Sequence, residues 1–181
     1  MLCKKIHRTN VNNVIGSAIN MIIGYTTGVF DMFHIGHLNI IRRAKEQCDY
    51  LIVGVSTDEL VQHDKGKTPV IPYEERAAIV AALRDVDKVV PQKNKNKLGA
   101  WEQYHFNKMF VGSDWQGTPQ WRHYELQFKP LGVDIIYLSH TDGISSTQLT
   151  NVIKNLLSDS AKNDVNSTDF ADESYAESEN S

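Results

Sequence analysis

Along most of the chain, short apolar runs of strand length alternate with longer stretches of helical period. Met21-Ile22-Ile23 and Tyr25-Thr26-Thr27 form a β-rich opening bounded by glycines. Leu38 to Gln47 then carries Leu38, Ile41 and Ala44 at helical spacing, with Arg42, Arg43 and Lys45 turned outward. Tyr50 to Val55 is a continuous apolar run, the pattern of a parallel strand buried on both faces. Pro72 fits the first turn of a helix over Tyr73 to Leu83, with Glu74 and Glu75 near its positive end. Lys88 to Val90, Lys108 to Val111 and Val133 to Leu138 read as three further strands, with a helix from Gln120 to Phe128 between the last two. Ser145-Ser146-Thr147-Gln148 has the form of a capping box before a helix from Gln148 to Leu157. Asp58 to Lys67 and Gln92 to Gly99 read as polar loops. This βαβα order predicts an α/β fold: an open parallel five-stranded sheet with right-handed crossovers and helices on both faces.

In such a sheet, ligands bind beyond the carboxyl ends of the strands. Four predicted loops fall there, and they bring His34, His37, Lys65, Lys67, Asp114, His140, Ser145 and Thr147 towards one crevice. The first loop, Gly28-Val29-Phe30-Asp31-Met32-Phe33-His34-Ile35-Gly36-His37, runs from strand through glycine turn to helix. The free N–H groups and positive dipole end of that helix suit a polyanion. His34 and His37 share a face if the helix starts near Ile35, and Gly36 lets a ligand approach the backbone. Paired histidines can also hold zinc, but no third and fourth ligands accompany them, and Cys3 and Cys48 form no CxxC.

Charge is unevenly distributed. Residues 1–20 carry +3, from Lys4, Lys5 and Arg8; residues 158–181 carry −6, from seven acids against Lys162; with an overall charge of −3, residues 21–157 are neutral. A neutral middle without a basic stripe speaks against a nucleic-acid surface. Two distant cysteines make no disulfide framework, and no apolar run reaches the length of a membrane helix, so a reduced, cytoplasmic protein without membrane insertion is expected. The basic start followed by Val14 to Ile23 looks superficially like an export signal, but Ser17 and Asn20 interrupt it and cleavage there would remove the first strand. Residues 1–20 are therefore read as a disordered extension or a misplaced start ahead of Met21, residues 21–157 as the functional domain, and residues 158–181 as a disordered acidic tail.

Several chemistries fail on spacing. Lys65-Gly66-Lys67-Thr68 ends like a phosphate loop, but Val61 stands where its leading glycine belongs. The first turn lacks GxGxxG, and neither GxSxG nor a Cys/His nucleophile pattern occurs. What remains suits attack of a substrate phosphate on the α-phosphorus of a nucleoside triphosphate. A phosphate monoester is already an anion at neutral pH, so such a protein must mainly align two polyanions and neutralise developing charge. Magnesium is expected with the triphosphate, with Asp31 or Asp114 as ligands or holders of its water.

His34-Ile35-Gly36-His37, preceded by Gly28-Val29-Phe30-Asp31 and followed by Gly143-Ile144-Ser145-Ser146-Thr147, resembles the cytidylyltransferases of the HxGH nucleotidylyltransferase superfamily, nearest those acting on glycerol 3-phosphate. The likeness runs from Met21 to Leu157 and includes Ser56-Thr57-Asp58-Glu59, Lys65 and Lys67, Tyr73-Glu74-Glu75-Arg76, Arg84 with Asp87, and Gly112-Ser113-Asp114-Trp115. Class I aminoacyl-tRNA synthetases share the four letters, but their KMSKS loop is not found here. The resemblance implies a Rossmann-like domain that transfers CMP from CTP to a small alcohol phosphate, usually as a homodimer. It implies catalytic roles for His34, His37, Lys65 and Lys67, and an acceptor contact for Lys65 and Arg76. Nucleotide contacts would come from Thr27, Gly28, Val29, Phe30, Asp31, Gly36, Asp114, Trp115, His140, Ser145, Ser146 and Thr147. Asp31 would order the histidine loop, and Arg84 with Asp87 would support structure or a dimer contact.

Two departures bear on substrate. His140 stands where the family usually has Arg before Thr-Glu-Gly-Ile-Ser, which predicts weaker triphosphate binding above about pH 7, as an imidazole loses its charge. Gln92 to Gly99, rich in Lys and Asn, replaces a tryptophan-containing loop. The acceptor alternatives are therefore phosphocholine, phosphoethanolamine or another polyol or sugar phosphate. ATP could replace CTP, and a non-catalytic nucleotide-binding protein is the reading from a different class.

Overall fold

The structure, a computed structural model, describes residues 21–141, 143 and 145–156. The expected extension over 1–20, the acidic tail and the last residue of the domain at 157 lie outside these. The strands are β1 (Ile23–Gly28), β2 (Tyr50–Ser56), β3 (Lys88–Gln92), β4 (Lys108–Gly112) and β5 (Asp134–Leu138). They form one parallel sheet in the order β3-β2-β1-β4-β5. The chain starts at the centre, builds outward to β3, and returns across to β4. The order therefore reverses between β1 and β4, the place where open α/β sheets hold their ligands.

Alternation along β2 divides the core. Leu51, Val53 and Val55 face one side, where they pack with Ile41 and Ala44 of α1 (Ile35–Lys45) and Val80 of α3 (Tyr73–Ala81). Ile52 faces the other side, with Phe106, Met109, and Trp121 and Phe128 of α5 (Pro119–Phe128). The predicted α/β class, with both faces covered, is what the chain adopts. Pro91 lies in β3, an edge strand, where its missing N–H breaks no central ladder.

Both stretches expected as loops contain a helix. Asp58–Lys65 is α2: the Thr57 hydroxyl caps it by accepting from Leu60 N–H, Leu60 and Val61 are buried, and Gly66 ends it at φ +61°, a conformation suited to glycine. Lys97–Tyr104 is α4, capped by Asn96, whose side chain accepts from Gly99 N–H. Residues 146–156 form the last helix, α6, and the Gln148 N–H donates to Ser145 Oγ at 3.2 Å, so Ser145 is the cap as expected.

Arg84 and Asp87, expected to support structure or a dimer contact, reach different partners. Asp87 accepts from Lys45 Nζ at 2.7 Å and from Leu51 N–H at 2.6 Å, joining α1 to the start of β2, while the exposed Arg84 reaches Asp85 at 3.7 Å. Burial alone would raise the Asp87 carboxyl, but these two donors outweigh it and hold the group below its ordinary value.

Candidate active site

The loop from β1 to α1 is the most constrained backbone in the structure. Phe30 (φ 55°) and Met32 (φ 48°) are both left-handed without being glycine, at a cost of about 1–3 kcal/mol each. Neighbouring groups hold them in place. The Phe30 side chain is buried in the core, which leaves only its backbone for the nucleotide contact expected of it. Ser146 donates to the Asp31 carbonyl at 2.8 Å, and Thr150, whose hydroxyl donates to the Ser146 carbonyl at 2.8 Å, lies 3.5 Å from Met32 Sδ, so α6 clamps the loop from more than a hundred residues away.

His34 is the N-cap of α1, its Nδ1 accepting from Gly36 N–H at 3.1 Å. That fixes the neutral tautomer: the ring hydrogen sits on Nε2, which lies 3.4 Å from Ser146 Oγ. His37 stacks on His34 with ring centroids 3.9 Å apart, and its Nδ1 is buried without a hydrogen-bond partner among the described residues. Burial lowers both imidazoles; for His37, the proximity of His34 adds to burial and outweighs Asp31, bringing it down to about 4. Two neutral rings, one with its Nε2–H at the surface of the site, thus sit between the N-termini of α1 and α6. Each helix end has one N–H taken by its cap, Gly36 by His34 and Gln148 by Ser145, and the positive dipole ends suit an anion.

The Asp31 carboxylate, expected to order the histidine loop, ties that loop to the segment between α2 and α3. Its two oxygens accept from Val70 N–H and Ile71 N–H, each at 2.9 Å. Arg76, expected at the acceptor, is placed otherwise. It is 1% exposed and donates to the carbonyls of Val29, Ser56 and Ile71 and to Asp58, tying together the ends of β1 and β2 and the loop before α3.

A cavity of about 290 Å³ opens at the carboxyl edge of the sheet. Thr27, Gly28 and Val29 of the first loop, Ser56, Lys65 and Trp115 line it, as do Gln92, Lys95 and Lys97. The last two were not among the residues expected in the site. Lys97 is 8% exposed and donates to Thr27 Oγ1 at 2.9 Å; burial, then Lys95, push it down to about 8. The sequence signal for it was the Asn96 cap followed by Leu98 and Trp101, which starts a helix and turns Lys97 inward. Lys65 is lowered by burial and then by Lys67 and Lys95, with Asp64 and Asp31 acting in the opposite direction.

Beside the cavity, His140 Nε2 lies 2.9 Å from Asp114 Oδ1. Gly112 permits this contact, since a Cβ there would stand 2.5 Å from the same Asp114 oxygen. The crevice is thus assembled in three parts: the histidines with Ser146, the lysine cavity with Trp115, and the Asp114–His140 pair. Thr147 is exposed on the first turn of α6, and Lys67 is exposed beyond α2.

Residues 25–152 match the family described as Cytidylyltransferase-like. The chain belongs to that family. Cytidylyltransferase-like relatives include the glycerol-3-phosphate cytidylyltransferase of Bacillus spizizenii, 38% identical over 125 residues that span 68% of this chain and 91% of the relative. The Bacillus subtilis protein of the same name is 35% identical over 138 residues, spanning 72% and 96%. Among solved structures, the lipopolysaccharide core biosynthesis protein of Thermoplasma volcanium superposes with a TM-score of 0.57 at 23% identity, over 68% of this chain and 99% of that one. A pantoate-beta-alanine ligase from Francisella tularensis gives 0.54 at 17% identity, over 75% and 67%. At these identities the two structures establish the fold, which is the Rossmann-like one expected.

Proposed function

We propose that this protein transfers CMP from CTP to glycerol 3-phosphate, releasing pyrophosphate and forming CDP-glycerol. The observation that carries this reading is the stacked His34–His37 pair between two helix N-termini, beside a lysine-lined cavity, in a chain of the cytidylyltransferase-like family. An oxygen of the acceptor phosphate attacks the α-phosphorus, and the bond from that phosphorus to the bridging oxygen breaks. Pyrophosphate leaves with the electron pair. The attacking group is already ionised, so no general base is needed. His34 Nε2–H and the N–H groups of α1 and α6 stabilise the charge that grows on the α- and β-phosphates. Lys65 and Lys67 align the triphosphate with the acceptor, and Trp115 offers a face to the base.

Magnesium fits as a companion of the triphosphate. Among the described residues no three His, Cys, Asp or Glu side chains converge on a metal position, and both oxygens of Asp31 are engaged by amides. Asp114, whose second oxygen is not engaged by His140, would be the side chain to help hold such an ion beside the triphosphate, where it would supply charge neutralisation. A homodimer working in the cytoplasm belongs to the same reading. Val70 and Ile79, both exposed, are apolar groups beside and on α3 that pairing would cover. None of the described helices is long and apolar enough to cross a membrane.

Pyrophosphate release tests the reading, with CTP and ATP each offered against glycerol 3-phosphate, phosphocholine, phosphoethanolamine and sugar phosphates. Turnover should require CTP, magnesium and glycerol 3-phosphate, and His34→Ala should reduce kcat by about 10²–10³, the usual cost of one transition-state donor. CTP binding with no turnover on any acceptor would point instead to a nucleotide-binding protein.

A further inference from the structure

We propose that Lys65, Lys95 and Lys97 form the acceptor subsite, and that it admits phosphate monoesters of uncharged alcohols while rejecting those whose alcohol carries an ammonium group. The inference rests on the transfer reaction above and narrows its substrate class. The three lysines line the same cavity, and Asp64 is the carboxylate among its lining residues. Asp64 is already held by Lys95 at 2.9 Å, with His63 at 3.3 Å on its other oxygen, so it is not free to receive a choline or ethanolamine nitrogen. The lysine end therefore carries an excess of two positive charges, which matches a phosphate dianion and repels a second cation.

Geometry gives each lysine a separate place. Lys97 lies at the floor, almost wholly buried, and donates to Thr27 Oγ1 at the end of β1; an ammonium has three donors, so among the described residues two remain for an incoming phosphate. Lys95 spans the mouth: its ammonium reaches Asp64 on α2, while its carbonyl accepts from the Tyr124 hydroxyl of α5 at 3.2 Å. Lys65 ends α2 on the side of the histidine loop. Lys97 also borders a second cavity of about 400 Å³, lined by Tyr25, Gln92, Asn94, Asn96 and Tyr104 among others. The charged groups lining the two cavities with Lys97 are therefore Lys65, Lys95 and Asp64 on one side and Lys93 on the other, where the phenols of Tyr25 and Tyr104 also stand. With its own value lowered to about 8, Lys97 loses charge in the mildly alkaline range, and the Michaelis constant for the acceptor should climb there.

The test is steady-state pyrophosphate release and acceptor calorimetry on the full chain, Lys97→Met and Lys95→Glu. Wild type should favour glycerol 3-phosphate over phosphocholine by at least about a hundredfold in kcat/KM. Lys97→Met should raise KM for glycerol 3-phosphate tenfold or more, leave KM for CTP within about twofold, and flatten the rise above pH 8. Lys95→Glu, at an exposed position, should narrow the preference against phosphocholine by about tenfold and serves if the buried variant fails to fold. Equal use of the two acceptors by wild type, or a Lys97→Met effect on CTP in place of the acceptor, would overturn the subsite. If wild type turns over no acceptor, the transfer reaction fails separately. Calorimetry then decides: glycerol 3-phosphate binding that depends on Lys97 keeps the subsite, and binding indifferent to it, or none, removes it.

Discussion

His37 is neutral in the ligand-free protein because burial and the stacked His34 ring both oppose its charge. A polyphosphate reverses that balance, since a nearby anion favours the imidazolium. CTP binding at about pH 6.5 should therefore take up protons, measurable by calorimetry in buffers of different ionisation enthalpy, with less uptake in His37→Asn. The sign for folding is opposite. With its value held at about 4, folded His37 binds fewer protons than the unfolded chain up to the ordinary imidazole range, so stability falls as pH drops through that window. His140 invites a complementary test. It lies against Asp114, at the position where an arginine was expected from the family resemblance, and a guanidinium keeps its charge at every relevant pH. His140→Arg should lower KM for CTP; an unchanged KM would separate this residue from the triphosphate.

At the scale of elements, Arg76 joins what the chain otherwise leaves apart. One guanidinium on α3 serves carbonyls at the ends of β1 and β2 and the loop between α2 and α3. Arg76→Met should cost about 3–5 kcal/mol in urea unfolding, because three acceptors and Asp58 lose their donor together; a lysine cannot reproduce the planar fork and should rescue little. Such ties were hard to read from the sequence. The strands and the amphipathic α1 were legible because apolar periodicity over several residues marks them. So were the two histidines, since a glycine turn before a helix has few other uses. The helices α2 and α4 were missed because each is 8 residues long and mostly polar, with the cap as its main signal. Missing α4 also meant missing Lys97, which looks like a solvated charge in a Lys/Asn run until Asn96 starts a helix and turns it under the loop. Arg76 was misplaced for the converse reason: an arginine in a motif suggests an anion, and only the fold reveals four protein acceptors around it.

In the whole molecule, the site occupies the reversal of strand order between β1 and β4, and its parts come from distant stretches of the chain. The first loop supplies the histidines, the segments after β2 and β3 supply the lysines, and the segments after β4 and β5 supply Trp115 and the Asp114–His140 pair. α6 then fastens the first loop through Ser146 and Thr150. This arrangement sets an order of assembly. As the chain leaves the ribosome, the histidine segment precedes the other four strands and the described sheet can be complete by residue 138, yet the strained loop waits for α6. A nascent chain with all five of these strands still lacks a finished centre, so competence for chemistry waits until the residues around Ser146 have been made.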